Sequence, residues 1–166
     1  MFYPLKDLNF KKFFLKTKKQ KAVFNPNSFS IELKKFYENK NKKLLDNFKK
    51  KNNGLELANN RSNLIDQIIV KCYYRYSLEL KKKIKNFKCS IIATGGFGRK
   101  ELAPYSDVDI LFLHSLKSKK NLEDFVKPVL HALWNLGLRV GYATRTSKEC
   151  ILYSKKKLDV CTSILE

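Results

Sequence analysis

The sequence has few acidic residues, with 15 aspartates and glutamates against 35 lysines and arginines. It has only two histidines, and its four cysteines are far apart and form no Cys-x-x-Cys pair. These shortages disfavour a zinc site and a disulfide framework, and they are typical of reduced thiols in a cytoplasmic protein. No apolar run reaches the ~20 residues that a membrane helix needs, so we expect no membrane association.

The net charge of +20 is unevenly distributed, because residues 1–88 carry +16 and residues 89–166 carry +4. A basic surface favours association with polyanions, which makes nucleic acid a candidate partner. The basic residues are, however, 30 lysines and only 5 arginines, and arginine is the residue suited to bidentate contacts with phosphates and bases. The pattern therefore favours solvated lysines over a nucleic-acid surface.

A chain of 166 residues is long enough for one domain with its own core. Its pattern indicates three segments: a basic arm over residues 1–27, a helical extension over residues 28–88 and a core over residues 89–166. In the core segment, the predicted order is strand, turn, strand, helix, strand, helix. That order predicts an α+β fold, a small mixed β-sheet with helices packed on one face.

The extension is predicted to contain two helices. Apolar residues at helical spacing predict the first over residues 28–53, with Gly54 as the glycine that ends it. The second is predicted to begin at an Asn63 cap and to run toward Asn86. Both apolar stripes are expected to contribute to the core.

The most specific pattern in the chain begins with a glycine turn. Residues 89–94 predict a short buried strand that stops at two glycines. Because glycine tolerates positive φ and has no β-carbon, Gly95, Gly96 and Gly98 would let backbone amides approach an anion. Arg99 would add a planar fork of donors for phosphate oxygens.

Further N–H groups would point at the same anion if a helical turn followed over residues 99–102. Pro104 makes Ala103 unfavourable for helix and would close such a turn.

Two carboxylates, Asp107 and Asp109, stand at the start of a second predicted strand over residues 108–113. Alternate side chains of a strand share a face, so the two carboxylates should lie together while Val108 faces the core. Such a pair can hold Mg²⁺ ions for an in-line phosphoryl displacement. Ser106 is expected either to donate a hydrogen bond to a phosphate or to orient Asp107.

A Gly-Gly pair alone is usually a loop, and an Asp-x-Asp alone is usually a turn or a solvated strand end. Here both occur in order, ten residues apart and between two predicted strands. The combination predicts a site for a nucleoside triphosphate and its metal ions.

This combination resembles the nucleotidyltransferase superfamily related to DNA polymerase β, whose signature is a Gly-Gly or Gly-Ser turn followed by an Asp-x-Asp strand. The resemblance is closer to the N-terminal domain of the bifunctional PII uridylyltransferase/uridylyl-removing enzymes. The similar segments are residues 95–99, 101–102, 104, 106–109, 133–134, 137–141, 145–146, 149–150, 159 and 162–166.

The resemblance implies a nucleotidyltransferase palm that transfers UMP from UTP to a tyrosine of the PII signalling protein and releases pyrophosphate. In that reaction Asp107 and Asp109 would hold Mg²⁺ and the turn would cradle the triphosphate. It also implies a third carboxylate on a later strand. The predicted third strand, residues 138–145, contains no acid, so Asp159 is the candidate, with a helix cap or a surface position as the alternative.

Two other interpretations stay open. One is a different nucleotidyltransferase, acting on RNA as CCA-adding enzymes and poly(A) polymerases do, or on glutamine synthetase. The other is a remnant that binds a nucleotide or a partner protein without turnover, since the family continues beyond the segment that corresponds to Glu166 and the chain is therefore expected to be truncated.

Overall fold

The computed structural model describes residues 24–84, 88–115 and 119–165. Most of the predicted arm over residues 1–27, and the predicted end of the second helix near Asn86, lie outside the described residues. No helix within the described ranges is long and apolar enough to cross a membrane.

Two long helices come first, α1 (Pro26–Lys51) and α2 (Gly54–Lys81). The Asn25 side chain accepts hydrogen bonds at the start of α1, and the Asn53 side chain accepts one from the Glu56 N–H at the start of α2. Asn52 takes the left-handed conformation, with φ of 50°, at the end of α1.

Two of the predicted helix boundaries are therefore wrong. Gly54 begins α2 and does not end α1, because Asn52 supplies the left-handed residue that a glycine usually supplies. Asn63 lies inside α2, because Asn53 has already capped the first free N–H groups ten residues earlier.

The core segment follows the predicted order of elements and adds one further helix at its end. Its elements are β1 (Cys89–Ala93), α3 (Gly95–Gly98), β2 (Val108–His114), α4 (Lys119–Trp134), β3 (Val140–Arg145), α5 (Ser147–Lys156) and α6 (Leu158–Leu165). The predicted helical turn over residues 99–102 is misplaced, since the single helical turn is formed by the glycines themselves.

The three strands form one sheet in the order β1-β2-β3. Strand β2 is central, antiparallel to β1 and parallel to β3. The predicted small mixed sheet of an α+β fold is thus confirmed.

The core lies on the face of β2 that carries Val108, Ile110 and Phe112. These side chains share one hydrophobic cluster with α2 and α4, and the ring of Phe112 meets that of Phe125 at 6.1 Å. Because side chains alternate along a strand, Asp109 points away from this core. The helical extension and the sheet share this cluster, so the proposed boundary near residue 88 divides the sequence but not the hydrophobic core.

Candidate metal and nucleotide site

The glycine turn is one turn of helix at the end of β1. Gly95 has a positive φ of 58°, which favours glycine, and its carbonyl accepts from the Arg99 N–H at 3.1 Å. The first helical hydrogen bond is donated by Gly98 to the Thr94 carbonyl at 3.0 Å. The N–H groups of residues 95–97 precede that bond, so helix geometry leaves them to an acceptor outside the helix.

The loop between the turn and β2 is held to α2 by a buried serine. The Leu102 N–H donates to Ser62 Oγ at 3.1 Å, and Ser62 Oγ donates to the Ala58 carbonyl at 2.9 Å. Leu102 is itself only 1% exposed. This anchor fixes the path of the chain from the glycine turn to the two aspartates.

Asp109 lies between two glycines from different elements. A β-carbon at Gly95 would come 3.1 Å from Asp109 Oδ2, and one at Gly141 on β3 would overlap Asp109 Oδ1. The Thr94 N–H donates to the Asp109 carbonyl at 3.0 Å, which joins the strand to the start of the turn. The position of the Asp109 carboxylate therefore depends on having glycine, which has no side chain, at both residues 95 and 141.

Asp107 is held differently, by an ion pair near the surface. Its Oδ1 lies 3.2 Å from Arg139 Nε, with the two side chains 59% and 70% exposed. The Arg139 guanidinium also donates to the Tyr105 carbonyl. Arg139 reaches this place because its own carbonyl accepts from the Val108 N–H at 2.8 Å, one step before β2 and β3 begin to pair.

The donor set fits Mg²⁺, which prefers carboxylate oxygens. The Asp109 carboxylate fits between Gly95 and Gly141 because neither glycine has a side chain. Within the described residues no three histidine, cysteine or acidic side chains form a metal-binding group. Asp107, directly before β2, and Asp109, on β2, stay the predicted metal ligands.

Asp159, the candidate third carboxylate, is the second residue of helix α6. Its assignment as the third carboxylate stays a prediction.

Two predicted phosphate-binding residues have contacts of their own. Arg99 forms an ion pair with Glu101, with 3.1 Å between Nε and Oε2. Ser106 is exposed, and its N–H donates to the Ala103 carbonyl at 3.2 Å. Their predicted contacts with phosphate stay predictions, as do those of Gly95, Gly96 and Gly98.

Sequence reasoning gave no role to Ser62, Arg139 or Gly141. Arg139 and Gly141 lie in a segment that carries the family resemblance, but their contacts with Asp107 and Asp109 depend on the register between β2 and β3. Ser62 is one polar residue in a long helix, and nothing in its local sequence distinguishes it.

Comparison with known proteins bears on this site. Residues 73–165 match the model of a family described as "Nucleotidyltransferase domain". Several proteins named "Bifunctional uridylyltransferase/uridylyl-removing enzyme" are similar to the chain. That of Caulobacter vibrioides is 36% identical over 116 residues, which cover 68% of this chain and 12% of that protein.

Two further relatives carry the same name. That of Azospirillum brasilense is 50% identical over 76 residues, 46% of this chain and 8% of that protein. That of Ruegeria pomeroyi is 42% identical over 79 residues, 48% of this chain and 9% of that protein. The matched part of the chain thus corresponds to about a tenth of these relatives. No solved structure matches the chain.

Proposed function

Since the chain belongs to the nucleotidyltransferase domain family, we propose that it transfers UMP from UTP to a tyrosine hydroxyl of the PII signalling protein and releases pyrophosphate. The names of the relatives support a uridylyl group. The closeness of the Asp109 carboxylate to Gly95, where a β-carbon would lie 3.1 Å from Oδ2, carries the proposal. In the proposed site, an oxygen ligand for a cation would lie next to N–H donors for a phosphate, as a metal-bound triphosphate requires.

Asp107 and Asp109 would hold Mg²⁺. When bound, Mg²⁺ would neutralise charge on the triphosphate and stabilise the attacking and leaving oxygens. The N–H groups of residues 95–97 would donate to phosphate oxygens, and Arg99 would add positive charge beside them. Ser62 would keep the connecting loop in place through Leu102.

The bonds change as follows in the proposed reaction. The tyrosine oxygen forms a bond to the α-phosphorus, while the bond from that phosphorus to the oxygen bridging the α- and β-phosphates breaks. Pyrophosphate leaves with the electron pair, and the phenolic proton passes to a base. Asp159 is the proposed third carboxylate and would accept that proton.

The charge of the chain favours a second candidate, a nucleotidyltransferase that acts on RNA. Residues 1–88 carry +16 of the +20 charge, and the last turn of α1 presents Lys49, Lys50 and Lys51, all exposed. Such a surface would attract a polyanion. The acceptor must therefore be tested directly.

The test supplies each nucleoside triphosphate, labelled at the α-phosphate, with Mg²⁺ and either PII or tRNA. We expect label from UTP on PII, and we expect Asp107→Asn to abolish it. Asp46→Asn is the matched control, because Asp46 is an exposed aspartate of α1. Label on tRNA would overturn the proposal in favour of the RNA enzyme. Mg²⁺-dependent UTP binding without transfer would overturn it in favour of a non-catalytic protein.

A further inference from the structure

A cavity of about 200 Å³ lies between the two long helices and the loop that precedes Asp107. Tyr105, Ser106 and Arg139 line the loop side, and Asn41 of α1 and Arg61 of α2 line the helical side. Among the residues that the structure describes, those that line the cavity include two arginines and no acid. The glycines of the glycine turn do not line the cavity, so it is a separate place in the fold.

Arg61 has a hydrogen-bond donor buried without a partner. Its Nε is shielded from solvent and has no hydrogen-bond partner within the described ranges of the chain. Arginine stays protonated at any ordinary pH, so it cannot relieve this burial by losing its charge. A buried unpaired donor on a charged group is costly, and the guanidinium to which it belongs lines the cavity.

Arg139 connects this cavity to the candidate metal site. It lines the cavity and at the same time pairs with Asp107 and with the Tyr105 carbonyl. The ion pair with Asp107 is exposed to solvent on both sides, so it is weak and can be exchanged for another anion at small cost.

We propose that the cavity is an oxyanion site, which takes a phosphate-type group between Arg61 and Arg139. Paired guanidinium forks suit tetrahedral oxyanions, and Asn41 and Ser106 supply neutral donors. An anion bound there competes with Asp107 for Arg139 and so frees the Asp107 carboxylate for a cation. By thermodynamic linkage, the anion and Mg²⁺ then strengthen each other's binding.

Inorganic phosphate is the probe, and titration calorimetry measures its binding to the full chain. We expect Arg61→Gln to weaken phosphate binding by about tenfold, the usual cost of one charge-assisted hydrogen bond. Lys81→Gln removes the same charge from an exposed position at the end of α2 and should bind phosphate as the wild type does. Circular dichroism verifies that Arg61→Gln is folded.

An equal loss of phosphate affinity in Arg61→Gln and Lys81→Gln would overturn the proposal, because it would show a general effect of the net charge. Unchanged phosphate binding in a folded Arg61→Gln would overturn it as well. So would failure of phosphate to tighten Mg²⁺ binding in the wild type, since the shared Arg139 predicts that coupling.

The oxyanion has two sources, a free anion or the phosphate tail of the bound nucleotide. Displacement of phosphate by Mg²⁺ and UTP would assign the cavity to the tail, whereas simultaneous binding would assign it to a separate anion. Both results require Arg61 and support the site. The coupling to Mg²⁺ rests on the proposed role of Asp107 as a metal ligand, whereas phosphate binding at Arg61 does not: UMP transfer can fail while Arg61-dependent phosphate binding remains.

Discussion

The carboxylate of Asp109 lies against Gly141, its partner in the parallel pairing of β2 and β3, in the space that a β-carbon of residue 141 would occupy. Any other residue at position 141 would push the carboxylate away, because its β-carbon would overlap Asp109 Oδ1. Gly141 is thus a positioning residue for the candidate metal ligand, although it has no functional group of its own.

Gly141→Ala is expected to weaken binding of Mg²⁺ and UTP by about 10- to 100-fold, the range found when a residue that orients a metal ligand is changed. Titration calorimetry with Mg²⁺ and UTP measures the effect. Gly54→Ala is the matched control, because a β-carbon there would meet nothing within 4 Å. Equal affinity in Gly141→Ala and the wild type would show that Asp109 does not need this space.

Ser62→Ala should destabilise the fold, because it leaves the buried Leu102 N–H without its acceptor. The expected loss is about 1–3 kcal/mol in the free energy of unfolding, measured by urea denaturation. Ser77→Ala is the control on the same helix. Both serines are 2% exposed, but the hydrogen bond of Ser77 Oγ goes to the Tyr74 carbonyl of its own helix. A smaller loss in Ser62→Ala than in Ser77→Ala would contradict the anchoring role.

The lowered pKa of Glu149 should make the stability of the fold depend on pH in acid. Hydrogen bonds from the Thr146 N–H and the Thr146 hydroxyl, at 2.7 and 2.8 Å, lower the pKa of Glu149 below its usual 4.5. A lowered pKa in the folded state contributes stability above the unfolded pKa, and that stability is lost as the pH falls through the folded pKa.

Glu149→Gln should therefore be less stable than the wild type at neutral pH, and the difference should shrink at values below 4.5. Urea denaturation at a series of pH values tests this. Glu38→Gln, at an exposed position of α1, is the comparison. A stability difference between wild type and Glu149→Gln that does not change with pH would contradict the prediction.

The cysteines should differ in their reactivity with alkylating reagents. Burial raises the pKa of the Cys72 and Cys89 thiols to about 12, so almost no thiolate forms at neutral pH. Cys150 and Cys161 are only half-buried. Under native conditions iodoacetamide should modify the latter two first, as read by peptide mass spectrometry. Early modification of Cys72 would show that the core opens more readily than its packing indicates.

The strands could be predicted from local patterns, and the structure confirms them to within two residues. The first and third predicted strands extend one and two residues beyond β1 and β3, and the second is one residue shorter than β2. Apolar alternation and flanking glycines are local signals, so they survive folding. The helix boundaries were less accurate, because Asn52, Asn53 and Gly54 are adjacent and each can end or begin a helix.

The amino-acid sequence by itself determined the chemical groups of the candidate site, which are the glycine turn, the two aspartates and the spacing between them. It also carried the resemblance to the nucleotidyltransferases that the family match confirms. Only the tertiary structure decided which residues surround those groups. Arg139 meets Asp107, Gly141 makes room for Asp109, and Ser62 holds Leu102. These contacts join residues between 32 and 40 positions apart, and strand register and helix packing, which act over the whole domain, bring them together.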